Sequence, residues 1–297
     1  MLKKIVAVVI VLSCCGAIRA DYLSDRKAAM NLVRGGTNEE ALAIFNRMAE
    51  GQFSDLQKSD ALEQAALCAN RLKQYDQALA LAKRIPLEAV SKKCRMNLMR
   101  ENRKYTELIT EFKGEDIEHW PESARGDAFY SRGIAYYHLK DGKSAEADLK
   151  KAVDYTADEH TMGIAWLTLG HNYRSNLKDD QKALEAYAQV IKMIQNGSGR
   201  YYSFTAVSSA SAILCKQGKY DEARQTLKKM DIGKMRGDWL GSMLCAYGKI
   251  YESQGKKAEA IAKYKEAAAV TGLHASQKAA WEKKFKELEA GGNKPIP

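Results

Sequence analysis

The chain has 297 residues, is 45% hydrophobic and 28% charged, and carries a formal net charge of +10. That apolar share excludes a natively disordered chain. Four prolines are too few for turn-rich sandwiches and barrels, and the prevalence of Ala, Lys, Glu, Leu and Gln favours helix.

Residues 1–20 read as a secretory leader. Lys3 and Lys4 precede the apolar run Ile5 to Leu12, and Ala17 to Ala20 supplies small residues before the polar Asp21. The run is shorter than the roughly 20 residues that a bilayer requires. Cleavage after Ala20 leaves a net charge of +7, since Lys3, Lys4 and Arg19 leave with the leader. An alternative reading is a lipoprotein: Val11-Leu12-Ser13-Cys14 is similar to a lipobox, which would anchor the protein to a membrane through Cys14. A periplasmic or secreted location is expected in the first case and a membrane face in the second.

From residue 24 the apolar residues recur at helical spacing. Ala29…Leu32 and Ala41…Phe45 predict a first helix pair, with Gly35-Gly36 as its turn and Thr37-x-x-Glu40 as a capping box. Ala66…Ala69 with Tyr75-Asp76-Gln77-Ala78 predicts a second, and Met96…Met99 with Tyr105…Leu108…Phe112 a third. After a break at 114–122 the pattern sharpens. Phe129, Gly133 and Tyr136 are followed by Trp166, Leu169, Gly170 and Tyr173, and then by Leu244, Gly248 and Tyr251. Each set has a trailing segment whose first small residue is Ala145, Ala183 or Ala260. The offset from Gly to Ala is one residue longer in the middle set, which predicts an extra residue in the turn between Asn176 and Gln181. Ser211…Leu214 with Ala223…Leu227 completes the series.

A mid-helix Gly costs about 1 kcal/mol against Ala. Its repetition at Gly133, Gly170 and Gly248 therefore predicts a close helix–helix approach, with Ala145, Ala183 and Ala260 opposite. Gly142, Gly218 and Gly255 are expected to close first helices in left-handed geometry, and Asp76 and Asp221 to cap second helices. Lys150 and Lys151 beside Asp148 and Asp154 read as a solvated face. Residues 273–290 form one amphipathic helix with Trp281, Phe285 and Leu288 on a stripe. It reads as a cap on the last pair, or else as a partner- or membrane-binding helix.

Trp166-x-x-Leu169-Gly170-x-x-Tyr173, followed by Ala183-x-x-x-Tyr187, resembles the tetratricopeptide repeat, a helix–turn–helix unit of about 34 residues. The resemblance implies an all-α solenoid of about seven units over 21–270; residues 271–290 are expected to be a C-terminal capping helix and 291–297 a disordered tail. It also implies a protein-binding scaffold whose first helices line a concave groove. Carried over by position, the groove residues include Asp60, Glu63 and Lys93 early in the chain. They continue with Tyr130, Tyr137, His138, His171 and Arg174, then Ser208, Lys216, Lys249 and Glu252. The central group is aromatic and basic, as binding hot spots are, and suits an acidic segment. Lys93 and Asn97 match the start of the family's carboxylate-clamping set, but Tyr130, Ile164 and Thr168 depart from it, so that partner is not implied.

The sequence shows no basic block of the nucleic-acid type, no H-E-x-x-H, no G-x-S-x-G and no Walker loop. Cys68, Cys94, Cys215 and Cys245 lack zinc spacing and sit in apolar helical stretches, which predicts free thiols. His138 and His171 are too few for a metal site. The leading reading is a binding protein without catalysis, cofactor or metal, expected to act in assembly of the cell envelope; an enzyme using the groove is the alternative of another class.

Overall fold

A computed structural model describes residues 21–195, 200–231, 233 and 235–291. The leader, Cys14 and residues 292–297 of the tail lie outside them. Among the described residues there is no strand, as an all-α chain requires, and no helix is long and apolar enough to cross a membrane. The chain forms two compact units that divide after Ala124.

The first unit contains α1 (Tyr22–Gly35), α2 (Asn38–Glu50), α3 (Asp55–Arg71), α4 (Tyr75–Lys83), α5 (Glu88–Glu101) and α6 (Tyr105–Phe112). Consecutive helices pack on one another, and α3 also packs on α5. Ala41, Phe45, Ala65, Ala66, Ala69 and Leu98 are fully buried among them. Ile117 is buried in a short 3-10 turn, Ile117–His119, which occupies part of the break after α6.

The second unit begins within α7 (Glu122–His138) and continues through α8 (Gly142–Tyr155), α9 (Glu159–Asn172) and α10 (Asp180–Gln195). It then runs through α11 (Arg200–Lys216), α12 (Tyr220–Lys228), α13 (Gly237–Ser253), α14 (Lys257–Ala268) and α15 (Ala275–Ala290). The odd-numbered first helices stack, α9 on α11 and α11 on α13, while each even-numbered helix packs on its neighbours.

Every hairpin turns through one residue in left-handed geometry. These are Gly36, Lys73, Arg103, Lys140, Lys178, Gly218 and Gly255, with φ between 57° and 85°. At Lys73 the backbone N–H donates to the Asn70 carbonyl at 3.0 Å, and the next N–H, of Gln74, donates to Ala69 at 2.9 Å. This pair of bonds closes a helix C-terminus. Gly218 and Gly255 turn as expected, but Gly142 does not. Lys140 takes the turn instead, and Gly142 opens α8, where a Cβ would meet Leu177 and Asn176 at 2.9–3.0 Å.

The extra residue of the fifth hairpin is absorbed as a π-helical turn, Tyr173–Leu177, which overlaps the start of the expected 176–181; the Lys178 N–H donates to the Tyr173 carbonyl, as a π turn requires, and the Asp179 N–H reaches the same carbonyl at 2.8 Å. Inserted residues inside helices commonly take this form.

The capping expectations need correction. Asp76 and Asp221 lie inside the first turns of α4 and α12; the cap positions Gln74 and Lys219 make no side-chain bond there. Thr37 donates its hydroxyl back to the Leu32 carbonyl rather than closing a box with Glu40. The reciprocal capping box is at Ser54 and Gln57. Asp141 and Asp158 cap α8 and α9 through the N–H groups of Ser144 and Thr161.

The repeated glycines do mark close approach, but with other partners than the alanines. A Cβ on Gly133 would lie 2.8 Å from the Leu149 side chain, one on Gly170 2.4 Å from the Tyr187 ring, and one on Gly248 3.0 Å from the Tyr264 ring. These partners lie one helical turn beyond Ala145, Ala183 and Ala260, which are themselves fully buried. A second glycine seven residues earlier receives the next first helix. Tyr202 of α11 fills the notch at Gly163, at 2.2 Å from a Cβ there, and Trp281 of α15 fills the notch at Gly241, at 2.4 Å. α15 is thus seated on α13 as α11 is seated on α9.

Asp148 is not on a solvated face. It is buried and accepts two bonds from the Arg132 guanidinium, at 2.7 and 3.0 Å. Lys151 lies over the Phe129 ring, 5.2 Å from its centroid.

Candidate functional site

The first helices of the second unit leave an open cavity of about 850 Å³ between α11, α13 and α15. Its floor is made of small side chains one turn apart on each helix: Ser208 and Ala212, Ser242 and Ala246, Ser276 and Ala280. Phe204 and Trp281 supply aromatic walls. The notches at Gly163 and Gly241 set the spacing, because they let Tyr202 and Trp281 sink into the preceding first helix.

Three cations line this groove: Arg174 from the π-helical turn, Lys216 at the end of α11 and Lys249 of α13. All three are exposed. Lys216 reaches Asp180 only at 3.6 Å, with its side chain 80% exposed. The single acid in the lining is Glu252, and its charge is already engaged. It accepts from the Tyr264 hydroxyl at 2.8 Å and from Lys284 Nζ at 2.7 Å. Burial pushes the Tyr264 hydroxyl upward, and the Glu252 hydrogen bond adds to this, so Tyr264 stays a donor at neutral pH. The groove is therefore electropositive.

Of the groove residues expected from sequence, Arg174, Ser208, Lys216, Lys249 and Glu252 come together here. Tyr130, Tyr137, His138 and His171 lie outside this lining. Tyr137 and His138 stack edge to face, centroids 5.0 Å apart, at the end of α7. His171 is largely withdrawn: its Nδ1 is 2.8 Å from the Tyr187 hydroxyl, and burial, then Arg174, holds its pKa below the ordinary imidazole range. Burial likewise raises Tyr187 to about 12. In the first unit Glu63 is paired with Lys93 at 2.9 Å. Asp60 is bound by Arg26 at 2.7 and 3.0 Å and by the Tyr22 hydroxyl. Burial opposes ionisation of Asp60, but these bonds outweigh it and keep the carboxylate below its usual range.

Sequence reading did not single out Phe204 or the Ser-x-x-x-Ala pairs, nor did it place Trp281 in the groove. The legible signal was the recurrence of Ser-x-x-x-Ala at 208, 242 and 276, each 34 residues after the last. Cys215 and Cys245 also face the groove. Burial raises both thiols, so they are protonated at neutral pH. Among the described residues all four cysteines are free, and no three His, Cys, Asp or Glu side chains are grouped to hold a metal.

Residues 164–196 and 241–270 match the family model described as tetratricopeptide repeat. These two segments are tetratricopeptide repeats. The matched segments are the fifth and seventh hairpins, whose first helices carry both glycine notches, and the same turn geometry recurs in the other hairpins. No curated protein matches the sequence. Among solved structures, the chain is similar to a tetratricopeptide repeat protein from Parabacteroides merdae, at 15% identity and a TM-score of 0.51, over 90% of this chain and 98% of that one. It is similar to pilF of Pseudomonas aeruginosa at 12% identity and a TM-score of 0.52, over 77% and 99% of the two chains. It is also similar to the apo form of the quorum sensor NprR from B. thuringiensis at 12% identity and a TM-score of 0.50, over 98% and 82%. At such identities the likeness is one of fold.

Proposed function

We propose that this tetratricopeptide protein is an exported, non-catalytic scaffold that captures an acidic segment of another protein in the groove of its second unit and serves assembly of the cell envelope. One observation carries the reading: three exposed cations line a groove whose one lining acid, Glu252, is already paired with Lys284 and accepts a bond from the Tyr264 hydroxyl. Arg binds carboxylates in a bidentate manner, and an electropositive cleft speeds the arrival of an acidic partner. Export rests on the leader at 1–20. The motif ending at Cys14 supports a second reading, in which the same scaffold is lipid-anchored; palmitate labelling lost in Cys14→Ser would select it.

The test compares two charge changes in the full chain. Lys216→Glu with Lys249→Glu inverts the groove. Lys192→Ala with Lys228→Ala removes exposed charge from the second helices α10 and α12. Envelope proteins retained on the immobilised chain are quantified by mass spectrometry. Loss of an acidic partner in the first pair alone, with helical circular dichroism unchanged, supports the groove; loss in the second pair alone overturns it.

A further inference from the structure

The first helices of the first unit carry, at their starts, an apolar row that the core does not use. Leu23 is the second residue of α1, Leu56 the second of α3, and Leu87 immediately precedes α5. They are 73%, 69% and 36% exposed. The three are neighbours. Tyr22 packs its ring edge-on against Phe53, centroids 5.4 Å apart, and donates its hydroxyl to Asp60, one turn on from Leu56. The Leu87 N–H donates to the Ser59 hydroxyl at 3.3 Å, on the same turn of α3. Packed helices lie about 8–10 Å apart, so the row is roughly 20 Å long. The other ends of the same helices differ: α3 and α5 run into exposed turns at Lys73 and Arg103.

Three leucine side chains amount to roughly a few hundred Å², below the about 800 Å² per partner of a stable protein interface. Insertion at the boundary of headgroups and acyl chains needs no such area. The point where the chain joins this edge favours the bilayer. Asp21 caps α1 two residues before Leu23, and it lies seven residues after Cys14. Seven residues reach about 25 Å at most. With 17 residues, α3 is itself about 25 Å long. A lipid on Cys14 would hold the helix starts near the bilayer, with the turns at Lys73 and Arg103 a helix length away.

We propose that Leu23, Leu56 and Leu87 rest on a lipid bilayer, their side chains inserted among the acyl chains, with the lipid on Cys14 as tether. This rests on the lipid-anchored reading given above. It adds the surface that meets the membrane, and with it the orientation of the first unit, whose hairpin turns point away.

The experiment uses the full chain expressed with its native leader and purified in detergent, its acylation read by mass spectrometry. It is reconstituted in phosphatidylcholine vesicles containing a lipid with a photoreactive diazirine in the acyl chain. Zwitterionic lipid keeps surface cations from binding by charge alone. After illumination, labelled peptides are mapped. Labels are expected on residues 22–24, 53–57 and 86–88, at least fivefold above the turns 72–74 and 102–104. Leu23→Ser/Leu56→Ser/Leu87→Ser is expected to lower them at least fivefold, with acylation and circular dichroism unchanged. The map of the native chain decides the orientation without the variant. An acylated chain labelled elsewhere, or not at all, overturns the leucine edge and leaves the anchor standing, as do labels undiminished in the folded variant. A chain without an acyl group on Cys14 overturns both.

Discussion

Three mid-helix glycines that look equivalent in the sequence differ in what they protect. Replacing one by Ala gains about 1 kcal/mol of helix propensity, so the sign of each change depends on the space available. At Gly170 the new methyl would be 2.4 Å from a fully buried Tyr187 ring, and that ring is also tied to His171. At Gly248 the nearest atom is 3.0 Å away, at the edge of Tyr264. Gly170→Ala is therefore expected to destabilise by about 1–3 kcal/mol, while Gly248→Ala falls within about 1 kcal/mol of neutral, as compared by chemical denaturation. His171 gives a pH signature. Its pKa is lowered in the folded state by burial and Arg174, so the unfolded chain takes up the proton first as pH falls. The stability it contributes is present above the ordinary value of 6.5 and is lost on acidification below it. His171→Asn keeps an acceptor for Tyr187 without the titration. Its melting temperature is expected to fall less than that of the native chain between about pH 7.5 and 5.5, by a few degrees.

At the scale of the elements, the hairpins were legible because apolar spacing and the Gly-to-Ala offsets report helix faces directly. Their joints were less so. Left-handed geometry was sought at glycine, yet Lys73, Arg103, Lys140 and Lys178 adopt it too, since the closing hydrogen bonds of the hairpin impose the turn whatever the side chain. Asp76 looked like a cap because acids favour helix starts, and that preference holds equally in the first turn, where it sits. Asp148 was read as solvated because its neighbours in sequence are charged; its partner Arg132 is on the preceding helix, which periodicity does not reveal. The pair is buried and bidentate. Removing Asp148 takes the bidentate carboxylate from a buried guanidinium, so Asp148→Ala is expected to cost about 3–5 kcal/mol. The double change Arg132→Met/Asp148→Leu is expected to recover most of that loss, because apolar replacements of a buried pair are often neutral or better. A double-mutant cycle on denaturation midpoints checks both.

Over the whole molecule, the groove residues divide by what the surrounding fold does with them. Early candidates such as Asp60, Glu63 and Lys93 are consumed in ion pairs within the first unit, and the aromatic centre at Tyr137 and His138 lies apart from the cavity. The later cations Arg174, Lys216 and Lys249 converge on the cavity. Sequence position identified first helices well, but which of their side chains remain available depends on partners thirty or more residues away. The final helix is the clearest case. It supplies one wall of the groove and completes the last apolar cluster, where Trp281, Phe285 and Leu288 meet Tyr264, Ala267 and Tyr251. Trp281→Ala is expected to cost about 3–5 kcal/mol, and truncation before Leu273 to expose the same surface to an apolar dye. An unchanged melt with no dye binding would show that α15 contributes nothing to the stack.

The seating of Trp281 over Gly241 also has an optical consequence. Of the four tryptophans, Trp281 is 9% exposed, whereas Trp239 is 42% exposed. An indole in apolar surroundings emits at shorter wavelength than one in water. A chain in which Trp120, Trp166 and Trp239 are replaced by phenylalanine would thus carry a single lamp at the end of the groove. Its colour would register whether the last helix is in place, and its quenching the arrival of whatever the groove admits.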